Sequence, residues 1–459
     1  MFKKILISIL LISFLLIGCT TPTQETPQSS PIVTENTNIV TTEAPTATQI
    51  VQEATPTQEE EINLRFIIPE GGGRLEGYTK VLEAYKKIKP NVNIKLETIP
   101  FKDYYSQLPV MWASDNPADV ALVDSCDVKY YAYEGVLAQL DNVFTPEDIA
   151  DIVPSLIEES SLNGKLYGAP FIISTQGVFY NTEMFAEAGV SVPQSVEEGW
   201  TWDDYVAKIK KVVEYEKSKG KDVWGLVFIN NPPNIDIWTH LIVRSFGEVG
   251  SPTYKAVSDD GTKVSGYLDT PEALEAYKFW QDLYVTQKLA PQSTVPDAFG
   301  NQQAATMISF AAWGGTLNAK FPDLKWSVAP IPYNKSHVAH LGEFVPVVSA
   351  KGKNVEASKE FLKFLASADG ILAYNQATTM IPVRKSLIPQ INVFTEMPLK
   401  IFADQMITYG VPRPMLIGHP IYNKLFSQMM IDIAQGADIN TVVPSTITEI
   451  ESQLAQFKQ

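Results

Sequence analysis

Between Leu64 and Val123 the spacing of apolar residues switches back and forth between the period of a strand and that of a helix, and this stretch restricts the fold strongly. Leu64–Ile68 reads as a buried strand. Tyr78, Val81, Leu82, Tyr85 and Ile88 then fall at helical spacing, and Pro90 stops that helix. Val92, Ile94 and Leu96 alternate with Asn93, Lys95 and Glu97 as a second strand; a helical stretch with Tyr104, Tyr105, Leu108 and Met111 follows, and Asp119–Val123 is a third, short strand. A β-α-β-α-β succession is the unit of a doubly wound parallel sheet, which binds ligands just past the carboxyl ends of its strands. Two segments lie there: Glu70-Gly71-Gly72-Gly73-Arg74 after the first strand and Asp124-Ser125 after the third. The glycine run lets backbone N–H groups come close to a ligand, but its spacing is not that of a dinucleotide site.

The region before this unit has another character. Lys3 and Lys4 precede an apolar run from Ile5 to Ile17, then Gly18 and Cys19, the order of a secretory signal. Leu16-Ile17-Gly18-Cys19 resembles a bacterial lipobox, which implies a leader over 1–18 and a mature chain lipidated at Cys19. The apolar run is shorter than the ~18–20 residues of a spanning helix. From 19 to 61 the chain is rich in Thr, Pro and Gln and too poor in large apolar residues to offset its ordering entropy; a disordered tether is expected. About 400 residues remain, more than one ordinary core, which suggests two lobes. A net charge of −16 and a pI near 4.8 argue against nucleic-acid binding, since no basic stripe is available for phosphates. Cys126 is the only cysteine besides Cys19, so it is expected as a small buried residue with no disulfide.

Gly164 to Val190 is a turn, a β-branched and aromatic stretch over Ile172–Tyr180, and a short Met-Phe segment; Thr201 with Asp204 then makes a capping-box-like helix start. Taken together, these parts resemble the central crossover of the extracellular solute-binding proteins of ABC sugar importers, of the maltose and multiple-sugar type. Further similar motifs follow in order: Phe299–Trp313, Trp326–Pro332, Ala357–Leu365, Ile381-Pro382-Val383-Arg384 and Val411-Pro412-Arg413-Pro414. The resemblance implies an α/β, two-lobed periplasmic-binding-protein-like (type II) fold with discontinuous lobes and a hinge. Its three crossings would lie near Phe171, Val347 and Pro382, giving one lobe from 62–172 plus 347–381 and another from 173–346 plus 382–459. It also implies a monomeric, extracytoplasmic lipoprotein that captures a carbohydrate and delivers it to membrane permease subunits, without chemistry or cofactor of its own.

A sugar offers hydroxyls to charged or planar partners and C–H faces to aromatic rings. Trp313, ahead of Gly314-Gly315, stands where the resembling family stacks a ring on the sugar; Trp238, expected in the Pro-rich loop of Asn231-Pro232-Pro233-Asn234, is the second aromatic candidate. Trp202 and Trp280 sit on amphipathic patterns and are expected in the core. Asp124 can accept two charge-assisted hydrogen bonds, Glu70 and Arg74 flank the glycines, and Glu343 lies in the return crossing. Arg413 either forks onto hydroxyls or pairs with a carboxylate across the cleft. His337 and His340 near Glu343 have a metal-like composition, but Tyr333–Ser336 reads as a turn and no metal is expected; His240 and His419 look isolated. A secreted glycosidase needs only two carboxylates, which 52 acidic residues make uninformative, and a ligand-binding lipoprotein serving a membrane sensor is the other alternative. If Cys19 is the attachment point, Cys19→Ser abolishes incorporation of a labelled fatty acid; label retained by the variant excludes the lipobox.

Overall fold

The structure is a computed structural model that describes residues 60–457 except Gly72, Asp115 and Asn234. The leader, Cys19 and nearly all of the tether lie outside the described residues.

The opening unit forms as its periodicity requires: β1 (Ile62–Pro69), α1 (Arg74–Ile88), β2 (Val92–Ile99), α2 (Phe101–Ala113) and β3 (Val120–Asp124). β1 is parallel to both β2 and β3, with Phe66 opposite Leu96 on one side and Val120 on the other. Phe344–Val348 completes this four-stranded sheet, antiparallel to β3. The return crossing expected near Val347 therefore lies earlier in the chain, because Phe344, Val345 and Pro346 already pair with Asp124, Val123 and Leu122. One apolar core covers this sheet, from Leu64, Phe66 and Tyr78 through Trp112 to Phe361 and Tyr374.

A second four-stranded sheet is built around Gln176–Asn181, which runs antiparallel to both Trp326–Ala329 and Ala304–Phe310; Trp224–Val227 lies parallel on the far side of the latter. Helices Trp202–Ser218, Asp236–Ser245, Pro271–Tyr284 and His419–Ala434 bury their apolar faces in its largest core. Thr201 and Asp204 make the reciprocal capping box that starts the first of these, and Thr270 caps the third ahead of Pro271. Trp202 and Trp280 are fully buried, each donating its indole N–H, to Ser245 Oγ and to the Met430 carbonyl.

Three connections between the two sheets lie side by side. Ile172–Ile173 pairs antiparallel with Ile381–Pro382, and Ser174 exchanges two 3.3 Å backbone hydrogen bonds with Gly342. No described helix is long and apolar enough to cross a membrane. Gly177, in an inner strand of the second sheet, is held to glycine by packing: a Cβ there would sit 2.8 Å from both Phe402 Cε1 and Val328 Cγ1. Gly177→Ala is expected to destabilise the protein by about 1–3 kcal/mol, seen as a lower denaturant midpoint; an unchanged midpoint would mean that these side chains yield freely.

Candidate ligand-binding site

A cavity of about 380 Å³ opens between the carboxyl ends of the first sheet's strands and the second sheet. Glu70, Gly71 and Arg74 enter it from the β1–α1 loop, Phe101 and Tyr105 from α2, and Asp124 from the end of β3. Across from them stand Asn230, Trp238, Phe310, Trp313 and Arg413, while Ser174, Gly342 and Glu343 come from the connections. All seven candidate residues named from the sequence thus line one cavity. The β1–α1 loop owes its shape to glycine, since Gly71 and Gly73 have φ of 97° and 69°, in the left-handed region.

Aromatic surface dominates. Trp313 is half-buried at the start of the helix Trp313–Lys320, with its inner edge against the Leu317 and Phe394 cluster. Trp238 does not sit in the Pro-rich loop; it occupies the first turn of Asp236–Ser245, only 6% exposed, with its ring 4.5 Å from that of Phe310. Phe101, Tyr105, Phe344 and Tyr374 add rings from the first sheet's side that sequence reasoning assigned only to helix packing or left out. Their signal was weak because a ring on a helix's buried face and a ring at a cavity wall share the same spacing.

The charged groups are already paired. Arg74 Nη2 lies 2.9 Å from Glu343 Oε1, and the guanidinium sits 4.8 Å over the Phe344 ring. Burial opposes the Arg74 charge, but Glu343 outweighs it and the pKa is raised. Ser174 Oγ donates to the Gly342 carbonyl at 2.7 Å and lies 3.2 Å from Glu343 Oε2. Arg413, 2% exposed, takes the carboxylate alternative: it pairs with Asp124 through Nη2 and with Asp236 Oδ1 through Nη1 at 3.2 Å. Its backbone N–H donates to Glu159 Oε1 at 3.3 Å, and burial pushes the Glu159 carboxyl up to about 7.

His419 is not isolated, contrary to expectation. Its Nδ1 is 2.7 Å from Asp127 Oδ1 and its Nε2 is 3.3 Å from Asp236 Oδ2. Burial pulls its pKa down, yet the two carboxylates win and hold it at about 9. Asp127 and Asp236 were not singled out in the sequence, since only the tertiary fold brings residues 127, 236 and 419 together. His240 is a buried core residue accepting or donating at 2.5 Å to the Tyr422 hydroxyl. His340 contacts Arg244 Nη1 at 3.1 Å while His337 lies against Tyr333 and Tyr409; no described group of His, Cys, Asp and Glu is arranged to hold a metal ion. Cys126 is buried and unpaired, and it does not line the cavity.

Residues 80–399 match the family model of the bacterial extracellular solute-binding proteins. The chain belongs to that family. It is 33% identical over 187 residues to an uncharacterised ABC transporter extracellular-binding protein of Pyrococcus horikoshii, a match spanning 40% of this chain and 41% of that relative. The arabinooligosaccharide-binding protein of Bacillus subtilis is 27% identical over 321 residues, 64% of this chain and 66% of the relative. Among solved structures, an ABC substrate-binding protein from Listeria monocytogenes in complex with cycloalternan superposes with a TM-score of 0.74 at 19% identity, covering 87% of this chain and all of the other. That likeness carries the two-lobed, periplasmic-binding-protein-like α/β fold implied by the sequence motifs. The family is one of solute-binding proteins, not of enzymes.

The His419 pKa sets a pH dependence. A histidine raised from its ordinary value of ~6.5 to about 9 contributes stability that is complete below ~6.5 and is lost as pH rises through about 9. The loss amounts to about 3 kcal/mol at ~1.4 kcal/mol per pKa unit. Thermal melts from pH 6 to 9.5 should show wild type losing stability relative to His419→Gln, which carries no titrating group there; parallel curves would show that His419 does not hold its proton.

Proposed function

We propose that this solute-binding protein captures a carbohydrate, in particular an oligosaccharide, between two lobes and delivers it to the permease subunits of an ABC importer. The lobes would comprise 62–172 with 344–381 and 174–341 with 382–459, joined by the three adjacent connections. The observation that carries the reading is the cavity itself: rings of Trp238, Phe310 and Trp313 on one side, Tyr105, Phe344 and Tyr374 on the other, and a few fixed polar groups between. Flat C–H faces suit the rings, and hydroxyls suit carboxylates and Asn230. The relative that binds arabinooligosaccharide and the neighbour holding cycloalternan support an oligosaccharide over other solutes.

Trp313 is read as the ring that stacks on the sugar, with Trp238, Asp124, Glu70, Arg74, Glu343 and Arg413 forming the rest of the wall. Because ligand would touch both lobes, it binds the closed arrangement more tightly, and that difference is what shifts the population. The permease would then read the closed shape. The protein acts as a monomer outside the cytoplasm, tethered to the membrane through the lipid on Cys19.

The test is titration calorimetry with maltotriose, arabinotriose and diacetylchitobiose, with small-angle scattering at saturation. At least one should bind at micromolar Kd, worth about 8 kcal/mol, and lower the radius of gyration. Trp313→Ala should weaken that binding by about 1–3 kcal/mol. Failure of the whole oligosaccharide panel counts against the carbohydrate reading, whereas binding without compaction replaces the closing clamp by a rigid pocket.

A further inference from the structure

Two cations, Arg74 and Arg413, line the cavity, and each is already occupied by a carboxylate of the protein that also lines it, Glu343 and Asp124 respectively. With Glu70 at the exposed mouth, three acidic side chains face two basic ones. The pairs are not loose surface contacts. Arg74 and Glu343 are 16% and 9% exposed, Arg74 Nη1 is also spent on the Gly71 carbonyl at 3.1 Å, and Glu343 is approached from behind by Ser174 Oγ at 3.2 Å. Arg413 has a second carboxylate in Asp236. An incoming carboxylate or phosphate would find no unpaired cation. It would have to displace Glu343 or Asp124 and leave that charge desolvated, a cost that no neutral hydroxyl incurs. The remaining wall is mostly aromatic and aliphatic, and its polar members, such as Asn230 and Tyr105, are neutral and offer an anion no counter-charge.

We infer that Glu343, by occupying Arg74, and Asp124, by occupying Arg413, determine specificity as built-in counter-ions that exclude acidic saccharides and admit neutral ones. This rests on the carbohydrate reading above and adds to it a selection rule with named residues. Glu343 is the more accessible test, since Gln has the same shape. Its carbonyl can still accept from Arg74, and its amide can donate to Ser174 Oγ, whose own proton already goes to the Gly342 carbonyl at 2.7 Å. Glu343→Gln therefore leaves Arg74 with a hydrogen bond but without a counter-charge.

The probes are glucuronate and galacturonate, each compared with its methyl ester, which has nearly the same shape and no charge, by calorimetry on wild type, Glu343→Gln and the double variant Arg74→Gln/Glu343→Gln. Wild type is expected to bind ester over acid by at least about tenfold, the factor of one charge-assisted hydrogen bond at its weak end. Glu343→Gln should reduce or invert that ratio by a similar factor, and the double variant should restore it. Cooperative melting of each variant shows that it is folded. Equal binding of acid and ester by wild type overturns the inference, as does a folded Glu343→Gln that leaves the ratio unchanged; should that variant not fold, the wild-type ratio alone decides. Loss of the carbohydrate reading has a separate signature, namely failure of the neutral oligosaccharide panel.

Discussion

The guanidinium of Arg413 is the point on which the cavity is hung. Removing a cation from water costs several kcal/mol even after relaxation, and this one is almost completely enclosed. Burial draws its pKa down to about 10, which still leaves it charged at neutral pH. Asp124 and Asp236 make that tolerable, and Asp236 is shared with His419, which reaches on to Asp127. The series Asp124, Arg413, Asp236, His419, Asp127 joins the end of β3 and the turn after it to the start of Asp236–Ser245 and to the segment before His419–Ala434. Asp124, at the end of the first sheet's β3, is therefore tied by one chain of alternating charges to helices packed on the second sheet. Gly342 belongs to the same arrangement, because a Cβ there would lie 3.3 Å from Arg413 Nε. The connecting strand passes directly against the buried cation.

A cavity of this make-up suits a carrier that must release what it binds. Its two cations are each met by a carboxylate of the wall, so the empty state leaves no buried cation uncompensated and the bound state need not break a pair. On the carbohydrate reading proposed above, affinity would come from ring stacking and from hydroxyls competing with water at carboxylate edges and amides, interactions of moderate strength that add over several sugar units. Pairing of two of the three lining carboxylates with cations also explains how a chain with a net charge of −16 can present a ligand site that is not simply a region of strong negative potential.

The periodicity between Leu64 and Val123 was sufficient for the parallel half-sheet, because strand and helix periods there are uninterrupted and Pro90 and the glycines mark the boundaries. Sequence caps at Thr201 and Thr270 were equally legible, since capping is a contact within four residues. The register of the return crossing was not: Phe344–Val348 is apolar throughout, and a run without alternation does not say which sheet it joins or where. Trp238 was misplaced for a related reason. Prolines at 232 and 233 announce a loop, but not that a helix begins at Asp236 immediately afterwards.

Seven candidate residues from six separated segments could be named because ligand sites in such folds lie at strand ends and loops, which local pattern marks. Their partnerships could not be named. That Arg413 pairs with Asp124 across 289 positions, that Glu343 pairs with Arg74 across 269, and that His419 sits between Asp127 and Asp236 follow from how the two sheets face each other. By itself the sequence determined the elements, their order and the residue types available to the cavity, because those depend on contacts between near neighbours. Which charges cancel and which remain to meet a ligand depends on distances between remote segments, and only the tertiary structure decided it.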